Sequence, residues 1–286
     1  MDQKNENDVG RLYLCATPIG NLGDITFRVL ETLRQADLIA AEDTRHTIHL
    51  LNHFDIHTPM TSYHEYNKVD KARYLVGLLK EGKQIALVTD AGTPGISDPG
   101  EELVRQCCEA GIAVTSLPGP AACVTALTMS GLATRRFCFE AFLPPDKKER
   151  RWILEELKRE TRTIIIYEAP HHLISMLQEL ADVLGMDRRL ALCRELTKRY
   201  EEADRATIGE TLERLAREEP RGEYVLVIEG RRIGDIRREE QSSWEELSLE
   251  EHMALYLDRG MDRKEAMKQV AKDRGVSKRD VYRELL

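Results

Sequence analysis

Three stretches concentrate the residue types that can hold a small ligand through backbone alone: TPIGNLGD at 17–24, DAGTPGISDPG at 90–100 and SLPGPAA at 116–122. Glycine permits backbone conformations closed to other residues and lets a ligand come close. Proline stiffens the chain, so such a loop presents fixed N–H and C=O groups. The second stretch, with Pro94, Gly95, Pro99 and Gly100, carries more of these residues than a plain connection needs. No Gly-Lys-Ser/Thr follows the first stretch, and it is not G-x-G-x-x-G. A nucleoside triphosphate or an ordinary dinucleotide therefore lacks its usual signature. Taken singly, each loop also fits a tight turn; together they predict a binding cleft. Histidines 46, 49, 53 and 57 raise a metal site, since the first three would share one helix face. No cysteine lies near them, no H-E-x-x-H is present, and Asp55 and Pro59 interrupt the pattern. A mixed helix face is the better reading, and no metal is expected.

The elements that must position these loops follow from hydrophobic periodicity. Short β-rich runs at 11–16, 37–41, 58–62, 84–89 and 112–115 alternate with helix-period segments near 24–35, 44–53, 68–80 and 100–110. That order predicts a mostly parallel sheet with helices on both faces. Such sheets bind ligands beyond the carboxyl ends of their strands, where the three loops fall. A second α/β layer follows from runs at 137–142, 163–167, 189–193 and 224–228, with helical segments near 147–160, 171–184 and 209–218. The charged stretch 231–243 reads as a linker, and three short amphipathic helices follow near 245–258, 262–273 and 277–285. The expected organisation is a disordered lead-in at 1–10, α/β domains at 11–122 and 123–230, the linker, and a helical extension at 244–286. There is no internal repeat and no low-complexity segment.

Of the 286 residues, 42% are apolar and 32% charged, the balance of a globular protein. No apolar run approaches a membrane span, and the polar start MDQKNENDVGR lacks the apolar core of a signal peptide. A cytoplasmic protein with no membrane partner is expected. Cysteines 15, 107, 108, 123, 138 and 193 form no C-x-x-C pair and read as core thiols of a reducing compartment. A net charge of −8 argues against gripping nucleic acid by bulk charge, so DNA is not an expected partner. Basic residues nevertheless cluster at Lys147, Lys148, Arg150 and Arg151 and at Arg231, Arg232, Arg237 and Arg238. The last 29 residues carry nine Lys/Arg against six Asp/Glu. Local basic patches on an acidic body suit docking on one structured RNA, while solvated helix faces are the plainer reading of each cluster.

The motifs TPIGNLGDIT, AEDTR (41–45), SYHEYN (62–67), VTDAGTPGISDPG (88–100), PGPAA (118–122), YEAPH (167–171) and RELTK (194–198) together resemble the bacterial small-subunit ribosomal RNA methyltransferase I family, a branch of the tetrapyrrole-methylase superfamily. The resemblance runs from about residue 11 to 230, with a weaker echo in the C-terminal helices, and the long DAGTPGISDPG string is its most specific part. It implies a two-domain tetrapyrrole-methylase-like α/β fold with S-adenosylmethionine in a cleft between the domains. It also implies a homodimer that 2′-O-methylates a cytidine of 16S rRNA near the decoding site, with the small ribosomal subunit as partner. Carried over by position, the cofactor would be held by Pro18 and Gly20, then by Asp90, Ala91, Gly92, Pro94 and Gly95. Glu168, Ala169, Glu195 and Leu196 would cover its adenine. Related tetrapyrrole enzymes show a G-x-G-P-G-D-type string where this chain has P-I-G-N-L-G-D, a departure that counts against a tetrapyrrole substrate.

The implied transfer is an in-line displacement in which the protein sets the hydroxyl oxygen about 3 Å from the methyl group. General-base help in removing the proton is worth roughly 10²–10⁴-fold. Asp43 and Arg45 follow the second strand run, and Glu195 and Lys198 follow the third run of the second layer. All four are catalytic candidates, with His64 as a further base, and each also fits a structural ion pair or cap. The C-terminal stretch 264–285 reads as a helix-turn-helix, with Lys278, Arg279 and Arg283 available to phosphates. Two alternatives share the loops: a tetrapyrrole C-methyltransferase of cobalamin or sirohaem synthesis, and an RNA-binding ribosome-assembly factor without turnover.

Overall fold

The computed structural model describes residues 9–245 and 247–285, so positions 1–8 of the expected lead-in lie outside the described residues. The first sheet is wholly parallel, in the order β3-β2-β4-β1-β5. Its strands are β1 (Arg11–Cys15), β2 (Leu38–Ala41), β3 (Met60–Ser62), β4 (Ile85–Val88) and β5 (Ala113–Leu117). All four residues of β4 are buried, as a central strand covered on both faces requires. Its side chains alternate between two cores. Ile85 and Leu87 join Leu75 and Leu79 of α3 (Lys68–Lys80) and Leu103 of α4 (Gly100–Glu109). Ala86 and Val88 join Val29 and Leu33 of α1 (Phe27–Gln35) and Leu51 of α2 (Thr44–His53). Helix α1 starts later than its periodicity predicts. Leu22–Asp24 form a 3-10 turn capped by Asn21, and Thr26 is the N-cap, accepting the Val29 N–H at 3.2 Å.

The second sheet runs β6-β7-β10-β8-β9. It comprises β6 (Phe137–Phe142), β7 (Thr163–Glu168), β8 (Arg189–Arg194), β9 (Glu202–Thr207) and β10 (Tyr224–Ile228). Only β6 and β7 pair in parallel; the other neighbours are antiparallel. Along the same chain lie α5 (Ala122–Met129), α6 (Lys147–Leu157), α7 (Pro170–Leu184) and α8 (Ile208–Leu215). Two of these elements go beyond the sequence reading. Strand β9 reads EADRAT, with no apolar run, and is made by backbone pairing along the edge of β8. Helix α5 reads ACVTALTM, apolar nearly all round, so it shows no helical stripe. It buries Cys123, Ala126 and Leu127 against Ile165, Cys193, Val225 and Val227.

The described chain separates into two compact units, and both sheets fall within the first, which ends at Glu229. The second takes 152–162 together with 230–286. The stretch expected as a linker, 231–243, is mostly helix α9 (Ile233–Glu245). Its charges hid it, since an ion pair such as Arg238–Asp235 at i,i+3 supports a helix that has little apolar periodicity. Then come α10 (Leu249–Leu257), α11 (Arg263–Asp273) and α12 (Lys278–Glu284), each with a side-chain N-cap: Ser248, Asp262 and Ser277. They enclose a small core of Met253, Tyr256, Ala266, Val270 and Val281. Trp244 stacks on the His252 ring at 4.2 Å. Among the described residues no helix is long and apolar enough to cross a membrane.

Replacing Leu87, which is 2% exposed at the centre of the first core, tests this layering. Leu87→Ala is expected to cost about 2–5 kcal/mol, read as a lower urea midpoint with an unchanged slope; an unmoved midpoint would contradict it.

Candidate active site

The first loop leaves β1 and the second leaves β4, which are hydrogen-bonded neighbours. The loops are tied by a reciprocal pair: the Thr17 N–H donates to Gly92 O at 2.9 Å, and the Gly92 N–H to Thr17 O at 3.0 Å. Gly92 has φ +87°, and a Cβ there would lie 3.3 Å from Ile19 Cγ2, so the position requires glycine. The third loop joins through Thr93, whose hydroxyl donates to Pro120 O at 2.9 Å. Asp98 closes the second loop. Its carboxylate accepts the N–H groups of Gly95 at 2.8 Å, Ile96 at 3.1 Å and Gly100 at 2.7 Å. Burial pushes the Asp98 carboxyl above the usual range, against the pull of these three donors. The buried Tyr63 hydroxyl donates to Pro99 O at 2.8 Å and pins the far end of the loop. The sequence reading weighed the glycines and prolines and passed over Asp98. Its signal was there, because an aspartate set among turn residues tends to bond its own backbone.

A cavity of about 370 Å³ opens beside these loops. Ile19, Ile96, Leu196 and Val225 give it apolar walls, and Tyr167 and Phe142 give it aromatic ones, with ring centroids 5.5 Å apart. Glu168 and Glu223 bring two carboxylates. A second cavity, about 300 Å³, is lined by Pro18 and Gly20 of the first loop, Thr89 and Asp90 of the second, and His46, His49 and His53 of α2. Of the cofactor positions implied by resemblance, Ala91, Gly92, Glu168, Ala169 and Leu196 line the first cavity. Pro18, Gly20 and Asp90 line the second. Pro94, Gly95 and Glu195 line neither, and Gly95 lies in the turn that Asp98 closes.

The catalytic candidates are held in two ion-paired groups. Asp43 caps α2 through the Arg45 N–H at 2.8 Å and pairs with the Arg45 guanidinium, also at 2.8 Å. That pairing holds its carboxyl down at about 2. Glu195 and Lys198 form a separate rivet. Lys198 Nζ reaches Glu195 Oε1 at 3.0 Å and Glu223 Oε2 at 2.8 Å, while the Glu223 N–H donates to Glu195 Oε1 at 3.0 Å. Glu195 lies so close over Gly222 that a Cβ there would come within 2.5 Å of its oxygen. Burial works against both charges of this rivet, yet the mutual hydrogen bonds win: Glu195 is held below its usual range and Lys198 above its own. Lys198 therefore stays protonated and poorly suited to take a proton. Glu195 and Thr197 both have positive φ, at 49° and 66°, so the chain is strained where it passes the first loop. There a Cβ on Gly20 would meet Lys198 Cγ at 2.4 Å. His64 lines neither cavity, and its buried Nδ1 has no partner among the described residues. Among the described residues no group of three His, Cys, Asp or Glu is arranged to hold a metal ion.

A parallel βα sheet joined to a mixed sheet, with a cleft walled by the loops of both, is the architecture of a methylase class. The family model for tetrapyrrole (corrin/porphyrin) methylases matches residues 11–212. Among solved structures, the fold is similar to uroporphyrin-III C-methyl transferase from Thermus thermophilus complexed with S-adenyl homocysteine. The TM-score is 0.55 at 19% identity, over 77% of this chain and 97% of that one. Sequence similarity is far greater to the ribosomal RNA small subunit methyltransferase I of Halalkalibacterium halodurans, 51% identical over 98% of this chain and 96% of the relative. That of Bacillus subtilis is 48% identical over 99% and 96%. The chain belongs to the tetrapyrrole methylase family and, within it, to the ribosomal RNA small subunit methyltransferase I family.

The Asp43–Arg45 pair makes a pH prediction. Because the folded carboxyl is lowered from 3.8 to about 2, any stability it adds is present above pH 4 and lost as pH falls toward 2. Carboxyl NMR should find Asp43 titrating near 2, and Arg45→Ala should return it toward 3.8. A wild-type inflection already near 4 would show that this exposed pair does not persist in solution.

Proposed function

We propose that this chain transfers the methyl group of S-adenosylmethionine to the 2′-hydroxyl of a cytidine in 16S rRNA, near the decoding site of the small ribosomal subunit, in the cytoplasm. The observation that carries the reading is the 51% identity, along 98% of the chain, to a ribosomal RNA small subunit methyltransferase I. A tetrapyrrole substrate has no comparable support, since the 19% likeness to a uroporphyrin-III enzyme speaks for the fold alone. Nothing favours a factor without turnover.

The first cavity fits the cofactor. Its backbone wall at Ala91 and Gly92 stays open because Gly92 carries no side chain. Ile19, Leu196 and Val225 suit an adenosine, and the Tyr167 ring gives it an aromatic face. The Glu168 carboxylate suits a ligand bearing an ammonium and a sulfonium. When bound, S-adenosylmethionine supplies a methyl group already activated by positive sulfur, so the protein's task is to orient the acceptor and accept its proton. The Asp98 clasp holds the second loop in one shape, so little order has to be gained on binding. A homodimer of two α/β domains per chain, at 11–122 and 123–230, completes the proposal.

The test is transfer of labelled methyl from S-adenosylmethionine to small subunits that lack their own methylation, followed by nuclease digestion and mass spectrometry. The expected product is 2′-O-methylcytidine; cofactor binding without incorporation into RNA overturns the reading. Gly92→Val, which fills the cavity wall, should weaken S-adenosylmethionine binding roughly tenfold or more by calorimetry. Asp98→Ala should weaken it too by loosening the loop. Light scattering is expected to give twice the chain mass.

A further inference from the structure

The second cavity holds Pro18, Gly20 and Asp90, which the resemblance gave to the cofactor, but none of the apolar and aromatic walls that suit an adenosine, and it shares both loops with the first. Ile19 lines the first cavity while its neighbours Pro18 and Gly20 line the second. Ala91 lines the first and Asp90 the second. Consecutive Cα atoms are about 3.8 Å apart, so the two cavities share a wall built from these two loops. We infer that the second cavity receives the acceptor nucleoside, turned out of the RNA, and that Asp90 takes the proton of its ribose hydroxyl. The inference rests on the methyl transfer proposed above.

The lining suits an unstacked base. His46, His49 and His53 present imidazole rings along one side of α2, with Leu22 and Leu50 beside them. Among the described residues no protein group takes up their ring nitrogens, so these remain available as donors or acceptors to a base edge. Unpaired bases are recognised by this combination of ring stacking and edge hydrogen bonds.

Asp90 is singled out by elimination among nearby carboxylates. Glu42, whose Oε2 accepts the Thr89 hydroxyl at 2.5 Å, does not line the second cavity. Asp43 is committed to Arg45, and Glu195 to Lys198. Asp90 lines the second cavity, and among the described residues its carboxylate accepts the Asp43 N–H alone, at 3.1 Å on Oδ1. Although Asp90 keeps an exposed edge, the surrounding loops exclude enough water to raise its proton affinity. The negative charges of Glu42 and Asp43 add to this, while the Asp43 N–H and His46 pull the other way. In the step, the hydroxyl oxygen uses its lone pair to bond the methyl carbon and the sulfur keeps the electrons of the broken C–S bond. The hydroxyl proton passes to the Asp90 carboxylate and from there to water.

The experiment uses the full-length protein with unmethylated small subunits. Asp90→Asn should lower kcat by roughly 10²–10⁴-fold, with calorimetric S-adenosylmethionine binding and KM for subunits within about threefold of wild type. The wild-type rate should rise with unit slope as pH climbs through an inflection above the ordinary 3.8 and then level off; Asp90→Asn should lose that inflection. Replacing His49 and His53 together by alanine should raise KM for subunits roughly tenfold, at the scale of lost stacking, without changing cofactor binding. Wild-type kcat in Asp90→Asn, or loss of cofactor binding in step with activity, overturns the assignment of the proton acceptor. An unchanged KM in the histidine variant overturns the nucleoside site. Wild-type protein that leaves the subunits unmethylated sinks the underlying reading, and this inference with it.

Discussion

The site depends on one pair of backbone hydrogen bonds, between Thr17 and Gly92. They join the loops beyond β1 and β4, the adjacent strands at the middle of the first sheet. Because the pair is made by main-chain atoms, it puts no side chain in the way, and the loops can present Ile19, Ala91 and Gly92 to one cavity and Pro18, Gly20 and Asp90 to the other. The constraint has a conformational cost: Gly92 must take a left-handed φ with Ile19 close against it. Strain continues at Ser97, held at φ 64° by the Asp98 clasp, and at Glu195 and Thr197 across the first loop. Such positions persist only where their surroundings over-determine them. Here the surroundings are Asp98, Tyr63 and the Lys198 rivet.

Charge around the loops is sorted by partner. Asp43 and Arg45 satisfy each other at the start of α2. Glu195, Lys198 and Glu223 satisfy one another where β8 ends and β10 begins. These residues look reactive in the sequence because they are charged and sit at strand ends. In the fold each has an ion-pair partner, Asp43 with Arg45 and Lys198 with both Glu195 and Glu223, and paired charges of this kind hold loops as well as shift proton affinities. Asp90, which accepts the Asp43 N–H, has no ion-pair partner among the described residues.

The helical unit at the C-terminus follows the same economy on a smaller scale. Three capped helices enclose a core of a few apolar side chains, and the buried His252 is wedged between the Trp244 ring and Arg274, whose Nε lies 3.2 Å from its Nδ1. Burial and the Arg274 charge push the His252 imidazole below its usual range, so it stays neutral under ordinary conditions. The basic residues that the sequence placed there lie mostly on exposed helix positions, as Lys278, Arg279 and Arg283 do.

Much of this protein was determined by sequence alone. The alternation of apolar runs with helix-period segments places the strands of the first sheet to within a residue or two, because pleat and helix periods are local properties of the chain. The glycine and proline loops are legible for the same reason, since φ preference belongs to the residue itself. Family membership was legible too, carried by the DAGTPGISDPG string. What only the tertiary structure decided is long-range. Strand β9 exists because β8 offers it an edge, and α5 because the second sheet offers it a floor. The Asp43–Arg45 and Glu195–Lys198 pairs are local, but the contacts of Asp43 with Asp90 and of Lys198 with Glu223 join residues 47 and 25 positions apart that strand order brings together. Sequence names the charged groups; only the fold determines which of them is left without a counter-ion.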